Sequence, residues 1–196
     1  MILGLLVVGA YLAGSVNFAV LVLRLLGKGD PRTQFSGNAG TTNVVRIAGR
    51  FWAAVVLLLD MGRAAGVAAA AMHFLPPPLV PWTALGLLAG NRYPCFHGFS
   101  GGKGVGNYLG FTAVLAPWWA LASCAAWVAL WAVVRQPFIA SFLMIAVLGA
   151  GQAAAALPSV TGAFAVALAA AFLVLNHRAN VRKWRQERAD RASSRS

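Results

Sequence analysis

The chain has 196 residues, 60% of them hydrophobic and 10% charged, and its 16 basic and 4 acidic side chains leave a formal net charge of +12. That apolar fraction excludes an ordinary soluble domain and a disordered one. The basic excess does not point to nucleic acid, because the placement of the charges follows membrane topology.

A helix needs about 20 apolar residues to cross a bilayer core. Ile2–Leu26 meets this length. Met1–Ala13 has no basic n-region and the apolar run continues past it, so a retained first span is expected rather than a cleaved signal peptide. A polar, glycine-rich loop over 27–50 follows, then a second span over Phe51–Met72. Pro78–Gly90 is a short third span that reaches adequate length only toward Tyr93, and a second glycine-rich loop covers 91–104. Val105–Val134 is too long for one straight helix and carries Pro117 near its middle. Proline lacks an N–H and starts helices well, so this run is expected to split into a span ending near Ala116 and another from Pro117. Pro137–Leu157 and Thr161–Leu175 complete the set.

The expected fold is therefore all-α and polytopic, a single integral membrane domain over 1–196. It has about seven transmembrane helices, cytoplasmic glycine-rich loops and a cytoplasmic basic tail over 178–196. Apart from Arg63, every Lys and Arg lies in 24–50, in 92–103, at Arg135 or from Arg178 onward. The connections around His73–Pro81, Leu115–Trp119 and Leu157–Thr161 carry none. This is the positive-inside asymmetry of an inner-membrane protein, and it places both glycine-rich loops and the tail in the cytoplasm. The tail is expected to lie against anionic headgroups. The lipid bilayer is the expected partner, nucleic acid is not, and the chain is expected to act as a monomer.

Ser36-Gly-Asn-Ala-Gly-Thr-Thr-Asn-Val-Val-Arg46 concentrates small and polar residues where the chain leaves the membrane. Thr42, Asn43 and Arg46 fall at helical spacing, with Gly49 placed to end a short helix. Ser36 and Asn38 precede it on glycine-loosened backbone. Glycines admit backbone N–H groups to an anion, a helix N-terminus adds a favourable dipole, and arginine supplies a planar fork. In the second loop, Gly101-Gly102-Lys103-Gly104 sets an ammonium at the start of the next span. It is not a nucleotide P-loop, since Gly104 stands where Ser or Thr is needed and His97 where the first glycine would be. A third candidate is Asn176-His177-Arg178-Ala179-Asn180, where His177 and Asn180 share a helix face.

Asp60 and Arg63 lie one turn apart within the second span, where charges mark function or a buried pair. The remaining acids, Asp30, Glu187 and Asp190, read as solvated. Neither Cys95 nor Cys124 has metal spacing, and no metal and no cofactor is expected.

Together these segments resemble the bacterial membrane family of acyl-phosphate:glycerol-3-phosphate acyltransferases. The family's first motif, roughly Gly-Ser-Gly-Asn-x-Gly-Ala-Thr-Asn-Val-x-Arg, is matched nearly throughout by Phe35–Arg46. Its second, a Phe-Pro-x-Phe stretch leading to Gly-Gly-Lys-Gly-Val, resembles Tyr93–Val105, and its His-x-x-Asn-Ile/Val signature resembles His177–Val181. The resemblance implies a glycerol 3-phosphate site lined by Ser36, Asn43, Arg46, Lys103, His177 and Asn180, with acyl phosphate as the second substrate. Asn38, Gly101, Gly102 and Gly104 belong to the same motifs, and Ser141 matches one serine of a two-serine motif. Ser36, Lys103 and His177 are the expected catalytic residues. The chain departs from the family at Asn91, where a histidine stands, and at Gly106-Asn107, where Ala-Thr is usual. It departs again at Arg63-Ala64, in place of Lys-Gly, and at Phe138, in place of the other serine.

The implied reaction moves a fatty acyl group to the 1-hydroxyl of glycerol 3-phosphate, giving lysophosphatidic acid and phosphate. The proton acceptor is either His177 or the substrate's own phosphate. The His-x4-Asp pattern of the coenzyme A-dependent enzymes is absent, because Pro78, Gly102 and Arg182 follow the three histidines at that spacing. The residues by themselves leave a second class open, a binding or transport protein for a phosphorylated solute or lipid. Such proteins also aim broken helices at anions, although near the membrane midplane.

Overall fold

The computed structural model describes residues 1–193, and each apolar run expected to be helical is helical, the first of them in two pieces. In chain order they are α1 (Ile2–Ser15), α2 (Phe18–Leu25), α3 (Thr41–Phe74), α4 (Val80–Arg92), α5 (Val105–Leu115), α6 (Pro117–Val134), α7 (Pro137–Ala156), α8 (Val160–Leu175) and α9 (Arg178–Ser193). Among the described residues there is no strand. By length and composition four helical stretches can cross a membrane, Ile2–Leu25, Thr41–Phe74, Pro117–Val134 and Pro137–Ala156. A fifth is added if α8 and the bent α9 count together. At 1.5 Å per residue α4 and α5 reach only about 20 Å and 17 Å, less than the ~30 Å core.

Two departures from regular helix shape the end that carries the glycine-rich loops. The first span was expected to run unbroken, but it opens at Val16 and Asn17, both in extended backbone. Asn17 is the cause, since its side chain accepts a bond from Val20 N and so caps a new helix. The second break is at Gly49, whose φ of 86° and ψ of 177° divide α3. As the spacing predicted, Thr41–Ala48 forms a short surface helix ahead of the span.

Glycines bring the central helices into backbone contact. A Cβ at Gly90 would stand 2.0 Å from the Tyr11 carbonyl oxygen, and one at Gly110 2.4 Å from that of Met61. Small residues allow such approach in lipid, where packing replaces the hydrophobic effect. α4 is consequently buried along most of its length, against α1 and α8. α6 instead turns Trp118, Leu121, Val128 and Val133 outward, as a lipid-facing helix should. The basic tail is helical, and Trp184 docks it edge-on to Phe138 of α7 at 6.2 Å. A cluster of Ala19, Val20, Leu23, Ala39, Val44, Ala53 and Val56 seats the first loop against α2 and α3.

Candidate active site at the loop face

The first loop is built around Asn43. This buried side chain donates to the carbonyls of Pro31 (2.7 Å) and Gln34 (3.1 Å) and accepts from Ser36 N (3.5 Å). Its polar atoms are thus spent in folding the loop back on α3. That leaves Ser36 exposed at the tip, Asn38 half-buried and Arg46 exposed one turn further along the short helix. Asp30 is not solvated as expected. It caps the turn Pro31–Thr33 through Arg32 N (2.9 Å) and pairs with the Arg32 guanidinium at 2.6 Å. The hydrogen bond to Arg32 outweighs burial and lowers the carboxyl pKa to about 2. Arg32 then donates to the carbonyls of His97 and Ser100, clamping the first loop to the second. The cap signal of Asp-Pro was present in the sequence, but the long-range clamp was not.

The second loop hangs from the end of α4, with Gly102 N donating to the Asn91 carbonyl (3.0 Å) and Gly101 N to that of Arg92 (3.1 Å). A Cβ on Gly102 would lie 2.7 Å from the Ala39 carbonyl oxygen, so the two loops touch backbone to backbone. Gly104 has φ +94°, and a Cβ there would meet Leu88 at 2.8 Å. Glycine is required at both places. Asn176 joins the third segment to the second by donating to the Lys103 carbonyl (3.2 Å).

Lys103 is half-buried. Burial first, and the charges of Arg46 and Arg92 next, bring its pKa down to about 8. Among the described residues Lys103 forms no ion pair with a carboxylate. Neither α3 nor α5 has a side-chain cap on its first N–H groups, so both N-termini are open for an anion.

His177 is 2% exposed, with its ring edge-on to Phe142 at 5.3 Å. Nδ1 lies 2.8 Å from the Leu173 carbonyl oxygen. A carbonyl can only accept, so Nδ1 carries the proton and Nε2 keeps its lone pair. Burial, then repulsion from Lys103, holds the imidazole pKa down at about 4 despite that bond. Asn180 lies half-buried on the first turn of α9. Ser141 points elsewhere: its hydroxyl donates to the Pro137 carbonyl (2.9 Å) and accepts from Trp127 Nε1 (3.3 Å), across the α6–α7 turn.

A helical membrane fold with basic side chains and helix N-termini without side-chain caps on its loop face belongs to the class of membrane proteins suited to an anionic ligand. The glycerol-3-phosphate acyltransferase family model matches residues 4–187, and the chain belongs to that family. Relatives named glycerol-3-phosphate acyltransferase include one from Thiobacillus denitrificans, 44% identical over 91% of this chain and 92% of that protein. Another, from Myxococcus xanthus, is 41% identical over 90% of this chain and 92% of its own length. Among solved structures, PlsY (YgiH), an integral membrane glycerol 3-phosphate acyltransferase in its glycerol 3-phosphate form, superposes with a TM-score of 0.87. It is 30% identical, covering 96% of this chain and 94% of that one. The lysophosphatidic acid form gives a TM-score of 0.84 at 29% identity.

Proposed function

We propose that the chain transfers a fatty acyl group from acyl phosphate to the 1-hydroxyl of glycerol 3-phosphate, releasing lysophosphatidic acid and phosphate for phospholipid synthesis. It does so as a monomeric single domain with seven crossings in a bacterial inner membrane, its site facing the cytoplasm. The observation that carries this reading is that the three motif segments meet at one face, with Gly102 packed on the Ala39 carbonyl, Arg32 clamping the first loop to the second, and Asn176 donating to the Lys103 carbonyl (3.2 Å). Family membership supplies the substrate class.

Two phosphates must meet for the reaction, and they repel. Lys103, the Arg46 fork and the helix N-termini offset that repulsion and orient the reacting groups. Ser36 and Asn38 add a hydroxyl and an amide at the loop tip, the backbone of Gly101–Gly104 lines the opposite wall, and Asn180 closes the third side. Asn43 shapes the site from beneath. Ser141 holds the α6–α7 turn and lies outside this set.

The 1-hydroxyl oxygen bonds to the acyl carbonyl carbon, the carbonyl C–O bond to phosphate breaks, and the hydroxyl proton leaves with a phosphate oxygen. An acyl phosphate is an activated anhydride, so its phosphate departs without a strong acid. His177 Nε2 can accept a hydrogen bond from the hydroxyl and aim it. With the imidazole at about 4 and a phosphate monoester near 6, the substrate phosphate is the stronger proton acceptor of the two.

Purified protein supplied with glycerol 3-phosphate and palmitoyl phosphate should form lysophosphatidic acid and equimolar phosphate, with palmitoyl-coenzyme A as the control donor. Product from the coenzyme A ester alone would reject the donor. No product from either, with labelled glycerol 3-phosphate entering sealed proteoliposomes, would establish the transport reading instead.

A further inference from the structure

The break in the first span takes the Gly14 and Val16 carbonyls out of the regular helical ladder, while the Ala13 carbonyl keeps a bond from Val16 N (3.2 Å), and an apolar span is a costly place for a carbonyl to lack a donor. Arg63 of α3 meets them. Its Nη1 donates to the carbonyls of Ala13 (3.2 Å), Gly14 (3.4 Å) and Val16, and the guanidinium stacks over Phe18, the first residue of α2, at 5.1 Å. Its Nη2 donates to Asp60 (2.8 Å) and to Asn107 Oδ1 (2.6 Å) on α5. Asn107 Nδ2 in turn donates to Asn91 Oδ1 (3.0 Å). Asn91, 2% exposed, carries Gly102 N on its carbonyl, and its Nδ2 lies under the loop, 3.1 Å from where a Gly102 Cβ would be. One guanidinium thus connects to the second loop through two asparagines.

The same guanidinium reaches the first loop through the break. Asn17, the residue freed there, donates to the Ala39 carbonyl (3.4 Å), the group that Gly102 touches. Ser15, just before it, accepts from Cys95 N at the start of the second loop (3.3 Å).

We infer that Arg63 is a positioning residue which, with Asn107 and Asn91, sets the register of the two phosphate-binding loops, and that the three side chains act as one coupled set. Lysine cannot take this role, because a single ammonium cannot hold the carbonyls on one side and the amide oxygen on the other at once. The inference rests on the loops being the glycerol 3-phosphate site.

A double-mutant cycle of Arg63→Lys and Asn107→Ala tests it in purified, full-length protein. Each single variant should raise KM for glycerol 3-phosphate about tenfold and leave KM for acyl phosphate unchanged. The double variant should be no worse than the poorer single one. Losses that multiply to about a hundredfold, or a fall in folded yield or kcat with KM unmoved, would overturn the coupling. If Arg63→Lys does not insert, Asn107→Ala combined with Asn91→Ala reads the same path. An inactive wild type would defeat the proposed function and still leave this inference testable. Maleimide labelling of Ser100→Cys, with Cys95 and Cys124 replaced by serine, should quicken to the same degree in both singles and the double, and unchanged labelling would refute the inference.

Discussion

Lys103→Met should give a protein that is more stable and far less active. The substitution keeps an apolar stem of similar length and removes the charge. In the folded chain the ammonium has lost much of its water and faces Arg46 and Arg92, which is why its pKa lies near 8 against 10.5 in an exposed lysine. Between those two values the unfolded chain binds more protons than the folded one, so stability rises with pH across this window and is lowest below about 8. At neutral pH the wild type therefore carries a destabilising charge that methionine removes. Thermal unfolding in detergent at pH 7 should move upward in the variant, with a smaller difference near pH 10.

Activity should move the other way. A charge-assisted contact is worth about 1.5–3 kcal/mol, one to two decades in kcat/KM for glycerol 3-phosphate if it persists in the transition state. In the wild type kcat/KM should also decline as pH rises through about 8 and the ammonium of the free enzyme is lost. That alkaline limb should vanish in Lys103→Met. Measuring kcat/KM from pH 6 to 9.5 with saturating acyl phosphate reads both effects. Near-wild-type activity, or an alkaline limb that survives the substitution, would remove Lys103 from the site.

Arg46→Lys should raise KM for glycerol 3-phosphate about tenfold or more, because a point charge cannot reproduce the bidentate fork; an unchanged KM would take Arg46 out of the phosphate site. His177 is held neutral in the folded chain to about pH 4 and protonates near 6.5 when unfolded, so stability should fall as pH drops from 6.5 toward 4. His177→Gln should flatten that fall in a melting series. Gly104→Ala should cost stability and activity together, since it combines a positive φ with a 2.8 Å contact to Leu88, and wild-type behaviour would mean the loop can re-form elsewhere. A cysteine near Pro77 should label from outside intact cells, and one at Ser100 or Ser193 only after the cytoplasm is opened. Outside labelling at Ser100 would refute the seven-crossing arrangement.

What the sequence determined by itself is the set of properties written in local pattern. Apolar runs of span length, Pro117 at a junction, Gly49 after Arg46 and the one-sided distribution of Lys and Arg are short-range signals, and helices in lipid satisfy their own backbone, so such signals suffice to place them. The residues proposed for the phosphate site stood out for the same reason, being grouped in three short motifs. What only the tertiary structure decided is which polar groups are spent on the protein itself. Asn43 reads like a ligand residue in the first motif, but its amide folds the loop. Asp30 reads as solvated, yet its partner Arg32 reaches across to the second loop, some sixty-five residues on. Arg63 and Asp60 read as an ion pair one turn apart, and only the unforeseen break at Val16–Asn17 shows why a guanidinium is needed there. Hydrogen-bond partners distant in sequence leave no periodicity in it, because they are chosen by how glycine-lined helices pack and by which carbonyls that packing strands in the membrane.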